Sequence, residues 1–474
     1  MNNLMTTTTT RKGDSFERFG DDLAQLLVSY LPIDSRLRLE CVSKQFQYVI
    51  YNTQDYILWD NTQIANPCRH FNCSQCLSIG FEKILKKCPY IKYIKFNGMD
   101  AIMFTDHYLY LMIANCPYLK CLTIKLKQSM AYTSLTSYMF SQFLIRFAGQ
   151  LQSISIFGFN HIFNELLSYL DISYAPNLRN VYLECDDKDY FIELNRIYYS
   201  TNVNTLPKTL DSLAFVVQHE SVQLFQTFAA NYGQQIKCLQ ILIGGRFIRQ
   251  YMNQLKSGFS QMNELTHLNL IIDTSDEIND EDEDEDENED LCISELLVAL
   301  VQQIAKSCAK LTTLKIKSYN NEDICKGTVW ILIEIICHKM NQLNSLSIEC
   351  PVNSLNNDIY LMTSKSLSQL KHLRQLRLEF SGAVIINDEF FTNIDHHLPQ
   401  LQLIDIKEPF DISSETIKSL AKLRHLNTIR LYSSANEDID EDLIISELID
   451  RANVTNIYIT RLGSTNGFIR GKQI

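Results

Sequence analysis

The tightest group of residues able to hold a metal is Cys68, His70, Cys73 and Cys76, in the string PCRHFNCSQC. Thiolate and imidazole both suit zinc, which takes four such ligands in a tetrahedron. No second pair follows at a recognised spacing, and one short loop rarely wraps an ion by itself. These four therefore read as loop residues or structural thiols, and neither a metal nor another cofactor is expected. Catalytic patterns are missing from the string as well. Gly244-Gly245-Arg246 is not a phosphate loop, and G-x-x-x-x-G-K-[ST] does not occur. There is no G-x-S-x-G elbow. The ten His are scattered, and His396-His397 lies beside a strand turn without the carboxylate pattern of a metal hydrolase. The chain reads as a recognition protein, not an enzyme.

What remains for chemistry is charge at regular spacing. Lys315, Lys317, Glu349, Arg377, Glu379, Asp405, Lys407 and Arg430, with Tyr432 nearby, alternate with or follow apolar pairs such as Leu314/Ile316 and Leu376/Leu378. On a strand, side chains alternate between the two faces, so these residues share the face opposite the apolar pairs. A charged row of this kind is a candidate docking site for a protein substrate, with Arg and Tyr as anchors. At the matching positions nearer the N-terminus the residues are mostly neutral, as at Ser153, Ser155, Tyr182, Ala214 and Gln240.

The elements that must position this row come from a repeat. The pattern Φ-x-x-Φ-x-Φ, with Φ apolar, starts at Ile91, Leu119, Leu151, Leu178, Leu210, Ile236, Leu265, Leu311, Leu343, Leu373, Leu401, Leu426 and Val454. Self-similarity at such a period is the mark of a solenoid. Helical stretches precede the strands, for example at His107 to Asn115, Glu165 to Leu170, Glu295 to Ser307 and Ser414 to Leu420. A proline often marks the junction, at Pro89, Pro117, Pro176, Pro207 and Pro399, where it ends the helix and withholds a backbone donor. Each unit reads helix of about 8 to 15 residues, turn, short strand. The expected fold is an α/β solenoid with a parallel sheet inside and helices outside. Strands stack about 5 Å apart and helices about 10 Å apart, so the stack should curve with the sheet on its concave side.

Composition limits the function. The net charge is -12, yet residues 276 to 290 hold twelve Asp or Glu and no base, so the rest is near neutral. That argues against a nucleic-acid protein, which would carry a basic footprint. The acidic run falls in the widest gap between strands and reads as a solvated loop insertion at 274–290, too like-charged to fold alone. A steering element for a basic partner is the functional alternative. The first sixteen residues lack the apolar core of a secretory signal, and no apolar run reaches the roughly 18 residues that span a bilayer. The fourteen Cys then read as reduced thiols of an intracellular protein, cytoplasmic or nuclear, with no membrane partner.

The N-terminal part differs from the repeats. Residues 1–15 are polar and read as a disordered tail. Over 16–60, Leu23, Leu26, Leu27, Tyr30 and Leu31 recur at helical spacing, Pro32 ends that face, and Leu37, Cys41 and Val42 begin another. So 16–60 is expected to be a small helical domain, 61–80 a linker, 81–465 the solenoid of about thirteen repeats, and 466–474 a C-terminal tail.

The repeats resemble the leucine-rich repeats of F-box proteins, whose core is C-P-x-L-x-x-L-x-L; here 88–96 read CPYIKYIKF and 116–124 read CPYLKCLTI. Residues 19–46, FGDDLAQLLVSYLPIDSRLRLECVSKQF, are similar to an F-box, with Leu58-Trp59 matching its closing pair. The opening Leu-Pro of that motif is Phe19-Gly20 here and its Trp is Phe46. The resemblance implies a substrate-recognition subunit of a cullin-RING ubiquitin ligase. It implies a face of Phe19, Leu23, Leu27, Leu31, Pro32, Leu37 and Val42 docked on a Skp-type adaptor, while the repeats hold an unidentified protein substrate. A leucine-rich scaffold that binds its partner without any ligase is the alternative.

Overall fold

A computed structural model describes residues 21–31, 35, 44–60, 74–100, 104–127, 136–157, 175–184, 208–217, 222–273, 293–319, 326–350, 360–380, 384–410, 412–433, 446–448, 454–461 and 468–471. The chain divides into two compact units, Met1–Tyr190 and Phe191–Ile474.

The first unit opens with helices α1 (Asp21–Ser29) and α2 (Lys44–Thr53). Ala24 and Val28 lie one turn apart on α1 and are buried against Phe46, Val49 and Ile50 of α2. The aromatic at 46 thus fills the centre of this two-helix core. Next come strand β1 (Tyr56–Asp60), helix α3 (Ser74–Lys87), strand β2 (Tyr93–Asp100), helix α4 (Asp106–Asn115), strand β3 (Cys121–Lys127), helix α5 (Ser137–Phe147), and strands β4 (Ser153–Phe157) and β5 (Asn180–Glu184). The five strands pair in parallel in chain order.

Two sequence boundaries shift here. Residues 56–60 were expected to be helical, but they form the first strand, in register with Tyr93 to Asn97. The reason lies in the side chains: Ile57 and Trp59 are buried and Tyr56 is exposed, the period-two alternation of a half-buried strand. Trp59 then packs edge-on against Phe81, with ring centroids 5.2 Å apart. The expected linker 61–80 also ends early, because residues 74–80 are the first half of α3.

The second unit contains β6 (Ser212–Val217), α6 (Val222–Tyr232), β7 (Cys238–Gly244), α7 (Gly245–Ser260), β8 (His267–Asp273), α8 (Ile293–Ser307), β9 (Thr313–Tyr319), α9 (Lys326–Lys339) and β10 (Ser345–Glu349). It continues with β11 (Tyr360–Leu361), a one-turn 3-10 helix (Ser364–Leu367), β12 (Gln375–Glu379), β13 (Val384–Ile385), α10 (Asp388–Phe391) and α11 (Ile394–His397). β14 (Leu403–Phe410), α12 (Ser414–Ala421), β15 (Thr428–Ser433), β16 (Asn456–Arg461) and β17 (Phe468–Gly471) complete it. Its main sheet runs β6-β7-β8-β9-β10-β12-β14-β15-β16 in parallel. β17 closes this sheet antiparallel to β16, so 468–471 is a strand within the segment expected to be a tail.

One backbone device repeats along both units. The carbonyl of Lys92 accepts from the N–H groups of Lys120 and Cys121, that of Lys120 from Gln152 and Ser153, and that of Gln152 from Arg179 and Asn180. In the second unit the same double acceptor passes from Asp211 through Lys237, Thr266, Thr312, Asn344, Arg374 and Gln402 to Asn427. It holds successive strands in one register, so the Φ residues stack. Leu314, Leu346, Leu376, Ile404, Ile429 and Ile457 are buried in a line under the sheet. Burying each is worth roughly 1.5–3 kcal/mol before entropy is counted.

Among the described residues before β12 and β14, the helices are of about one turn each. The segment before β12 is rich in Ser, Asn and Thr, which compete for backbone hydrogen bonds and favour turns. Before β14, Asn393 adopts φ 55° and separates α10 from α11. Asn tolerates this left-handed conformation better than other side chains. β11 and β13 pair in parallel as a separate two-stranded sheet.

Candidate functional site

The charged residues singled out from the sequence come together on the face of the second unit's sheet that points away from the helices. Register makes one row of Lys315, Ser347, Arg377, Asp405, Arg430 and Tyr458, one residue from each of six adjacent strands. A second row begins two residues further on, with Lys317 opposite Glu349 and Glu349 opposite Glu379.

The groups pair across strands. Asp405 Oδ2 accepts from Arg377 Nε at 2.9 Å and lies 3.6 Å from Arg430 Nη1. Glu349 Oε1 lies 3.3 Å from Lys315 Nζ and 3.8 Å from Arg377 Nη1, and accepts from Ser347 Oγ at 3.1 Å. Lys407 Nζ donates to Glu379 Oε2 at 2.6 Å. The Arg430 guanidinium sits 5.3 Å above the Tyr458 ring centre. Lys315, Arg377 and Arg430 side chains keep 28%, 34% and 43% of their surface exposed, while Glu349 and Asp405 keep 8% and 4%.

That burial divides the row. Glu349 and Asp405 lie beneath the cations and are not presented to a partner. Burial pushes the Glu349 carboxyl upward, but Lys315, with Lys317 and Ser347, more than offsets it and holds the group below the usual carboxylate range. Lys407 is raised: desolvation lowers it, and the bond to Glu379 with nearby carboxylates outweighs that. Tyr432 lies on the same face beyond Arg430 and is half-buried, with no hydrogen bond or ion pair to the row among the described residues. Ser347 and Tyr458 belong to the row but were not singled out; the signal available was their position between the apolar pairs Leu346/Ile348 and Ile457/Ile459.

The row does not continue unchanged toward the start of the unit. On β7 and β8 the residues at matching positions are uncharged: Gln240, Leu242 and Ile271 are buried and Asn269 is half-buried. The side chain of Tyr182, and all of Cys68, His70 and Cys73, lie outside the described residues, as does the acidic insertion. No group of His, Cys, Asp and Glu able to hold a metal occurs among the described residues. His397 Nδ1 lies 2.8 Å from Ser364 Oγ, a pairing with the look of a nucleophile and base. Ser364 is fully buried, however, and its hydroxyl also donates to the Thr392 carbonyl. The pair fastens two short helices together, and burial with nearby Lys371 pushes the imidazole below its usual value.

The second candidate surface is on α1. Opposite the buried Ala24 and Val28, Leu23, Leu26, Leu27 and Tyr30 are 39%, 51%, 41% and 78% exposed. They recur at i, i+3, i+4 and i+7, which makes one apolar stripe that Tyr30, just past the end of α1, extends. Of the residues assigned to an adaptor face, Leu23 and Leu27 are on this stripe and Leu31 is half-buried at its end. Phe19, Pro32, Leu37 and Val42 lie outside the described residues.

No protein-family model matches the chain, and no curated protein matches it in sequence. Among solved structures it is similar to a yeast Rad7–Elc1 complex, at 11% identity and TM-score 0.41, over 93% of this chain and 88% of that one. It is also similar to the leucine-rich repeat-containing protein LegL7 of Legionella pneumophila, at 12% identity and TM-score 0.31, over 73% and 94%. A third likeness, to a Bacteroides fragilis protein, has 16% identity and TM-score 0.29, over 56% and 78%. The leucine-rich-repeat reading of the fold rests on this chain's own strand register. No helix among the described residues is long and apolar enough to cross a membrane.

Proposed function

We propose that this protein is a substrate-recognition subunit of a cullin-RING ubiquitin ligase, non-catalytic itself. Its N-terminal helices dock on a Skp-type adaptor and its repeats hold a protein target. The observation that carries the reading is the stripe of Leu23, Leu26, Leu27 and Tyr30. A helix buries one side in a private core with Ala24 and Val28 and leaves a second apolar side outward. An exposed apolar patch of this kind, set apart from the buried side, marks a protein–protein contact. The F-box-like string across residues 19–46 supports an adaptor as the partner. The mechanism would be proximity: a target held at high effective concentration beside the ubiquitin-loaded enzyme.

The test is co-purification of the full chain with a Skp-type adaptor, beside the double variant Leu23→Asp/Leu27→Asp. These side chains are outside the private core, so the variant should keep its circular dichroism and melting temperature. A stable complex with the natural chain that the variant cannot form is the expected result. A folded natural chain that takes up no adaptor overturns the ligase reading. The altered opening Phe19-Gly20 favours the alternative in that case, a leucine-rich scaffold acting without a ligase.

A further inference from the structure

The pairing pattern of the charged row has a polarity. Asp405 and Glu349 are buried, and each is already held by two cations. The cations are the exposed members. A guanidinium has five N–H donors and no acceptor, so Arg377 and Arg430 have more donors than one shared Asp405 can take. The solvent side of the row is therefore rich in donors, while its nearest acceptors are occupied and covered. Arg430 is further steadied over the Tyr458 ring. Glu379, one row over, is already bonded to Lys407.

The cations are also evenly placed. Lys315 is on β9, Arg377 on β12 and Arg430 on β15, with β10 between the first two and β14 between the last two. Neighbouring strands are about 4.8 Å apart, so successive cations are about 10 Å apart along the row. A segment in the polyproline II conformation has three residues per turn and rises about 3.1 Å per residue, so every third side chain returns to one face after about 9 Å, close to the same interval.

We infer that this face binds an acidic segment of a partner protein in the polyproline II conformation, lying across the strands with Asp or Glu at every third position over Lys315, Arg377 and Arg430. This deepens the proposed function, because it gives the substrate face a chemical class and a register. Buried carboxylates preorganise the cations, so little ordering is needed when the acidic segment arrives, and preorganisation of this kind favours affinity.

The experiment is fluorescence anisotropy on the full chain with labelled Gly/Ser peptides. One peptide has Glu at every third position, one has the same number of Glu at every second position, and one has Lys at every third position. The first should bind at least tenfold tighter than the second, the third should not bind, and affinity should fall steeply with salt. The variant Lys315→Gln/Arg430→Gln keeps Arg377 beside both buried carboxylates, so it should stay folded by circular dichroism at the assay temperature, with a lowered melting temperature, and lose at least tenfold in affinity. Lys310→Gln, whose ammonium pairs with Glu264 elsewhere, should bind as the natural chain does. No binding of the first peptide, equal binding of the first two, binding only when phosphoserine replaces Glu, or an equal loss with Lys310→Gln each overturns the inference. Adaptor co-purification by the Lys315→Gln/Arg430→Gln variant separates the two readings, since it should be intact. If the natural chain binds the peptide but no adaptor, the ligase reading fails and the acidic-segment face stands.

Discussion

Asp405 illustrates how a residue can be placed by sequence and still be misjudged. Its position between Ile404 and Ile406 put it on the correct face, because side-chain alternation on a strand is local. Its burial depends on Arg377 and Arg430, which lie 28 residues before it and 25 after it in the chain, and no local pattern reports that. Glu349 is the same case, with Lys315 as its partner, and here the consequence is measurable. A carboxyl held below its usual range in the folded state favours folding above its unfolded value, about 4.3. That contribution disappears as pH falls through the folded value. Glu349→Gln should therefore lower the urea midpoint near pH 7, by roughly 1–3 kcal/mol of stability, since it removes one partner of a largely buried pair. The difference from the natural chain should shrink as pH falls below the unfolded value of about 4.3. A gap that stays constant from pH 7 to pH 3 would show that Glu349 acts through packing and not through its charge.

At the scale of the element, the thirteen Φ-x-x-Φ-x-Φ strings all became strands, because each contains two side chains that must share one buried face. Strands without that signal were missed: β1, which has alternation but follows helices, the two-residue β11 and β13, and β17. The helices were less legible than the strands. Asp106 to Asn115 and Ile293 to Ser307 formed as expected, but the described residues before β12 hold a one-turn helix, since many helical arrangements can cover the same sheet. The strand register, in contrast, is nearly indifferent to what connects it, and this makes a single strand position decisive. Leu346 is buried and sits in register between Leu314 and Leu376. Leu346→Asp would place an unpaired carboxylate there, at a cost of roughly 4 kcal/mol or more. In a stack where each repeat leans on its neighbours, the loss should spread to the repeats on either side. Thermal unfolding should show a lower midpoint with reduced amplitude, and an unchanged melting curve would rule out this repeat assignment.

Across the whole molecule, the cysteines tie composition to stability. Seven are free thiols among the described residues, five of them buried, and fourteen in the sequence could not be divided into core and surface before the strands were placed. Cys116 lies in the first unit and Cys308, Cys337 and Cys350 in the second. Burial pushes all four up to about 12. In an unfolded chain a thiol ionises near 8.5, so between roughly pH 8.5 and 12 each of these binds a proton only when folded. The sign follows directly: a proton held only by the folded state favours folding less as pH rises. Stability should be at its plateau below about pH 8.5 and then decline by about 1.4 kcal/mol per pH unit for each such thiol, on the order of 5 for all four together. Urea midpoints measured from pH 8 to pH 11 should slide downward in parallel with thiol exposure to maleimide. Cys350→Ala should make the slope shallower by about a quarter if its thiol contributes equally with the other three. The same midpoints should be unmoved by a reducing agent at pH 7.5, since these thiols stabilise the protein as buried apolar groups and not through disulfides. A flat alkaline profile would mean that water already reaches these thiols in the folded chain, and the closely stacked Φ core argued from the strand register would have to be loosened around them.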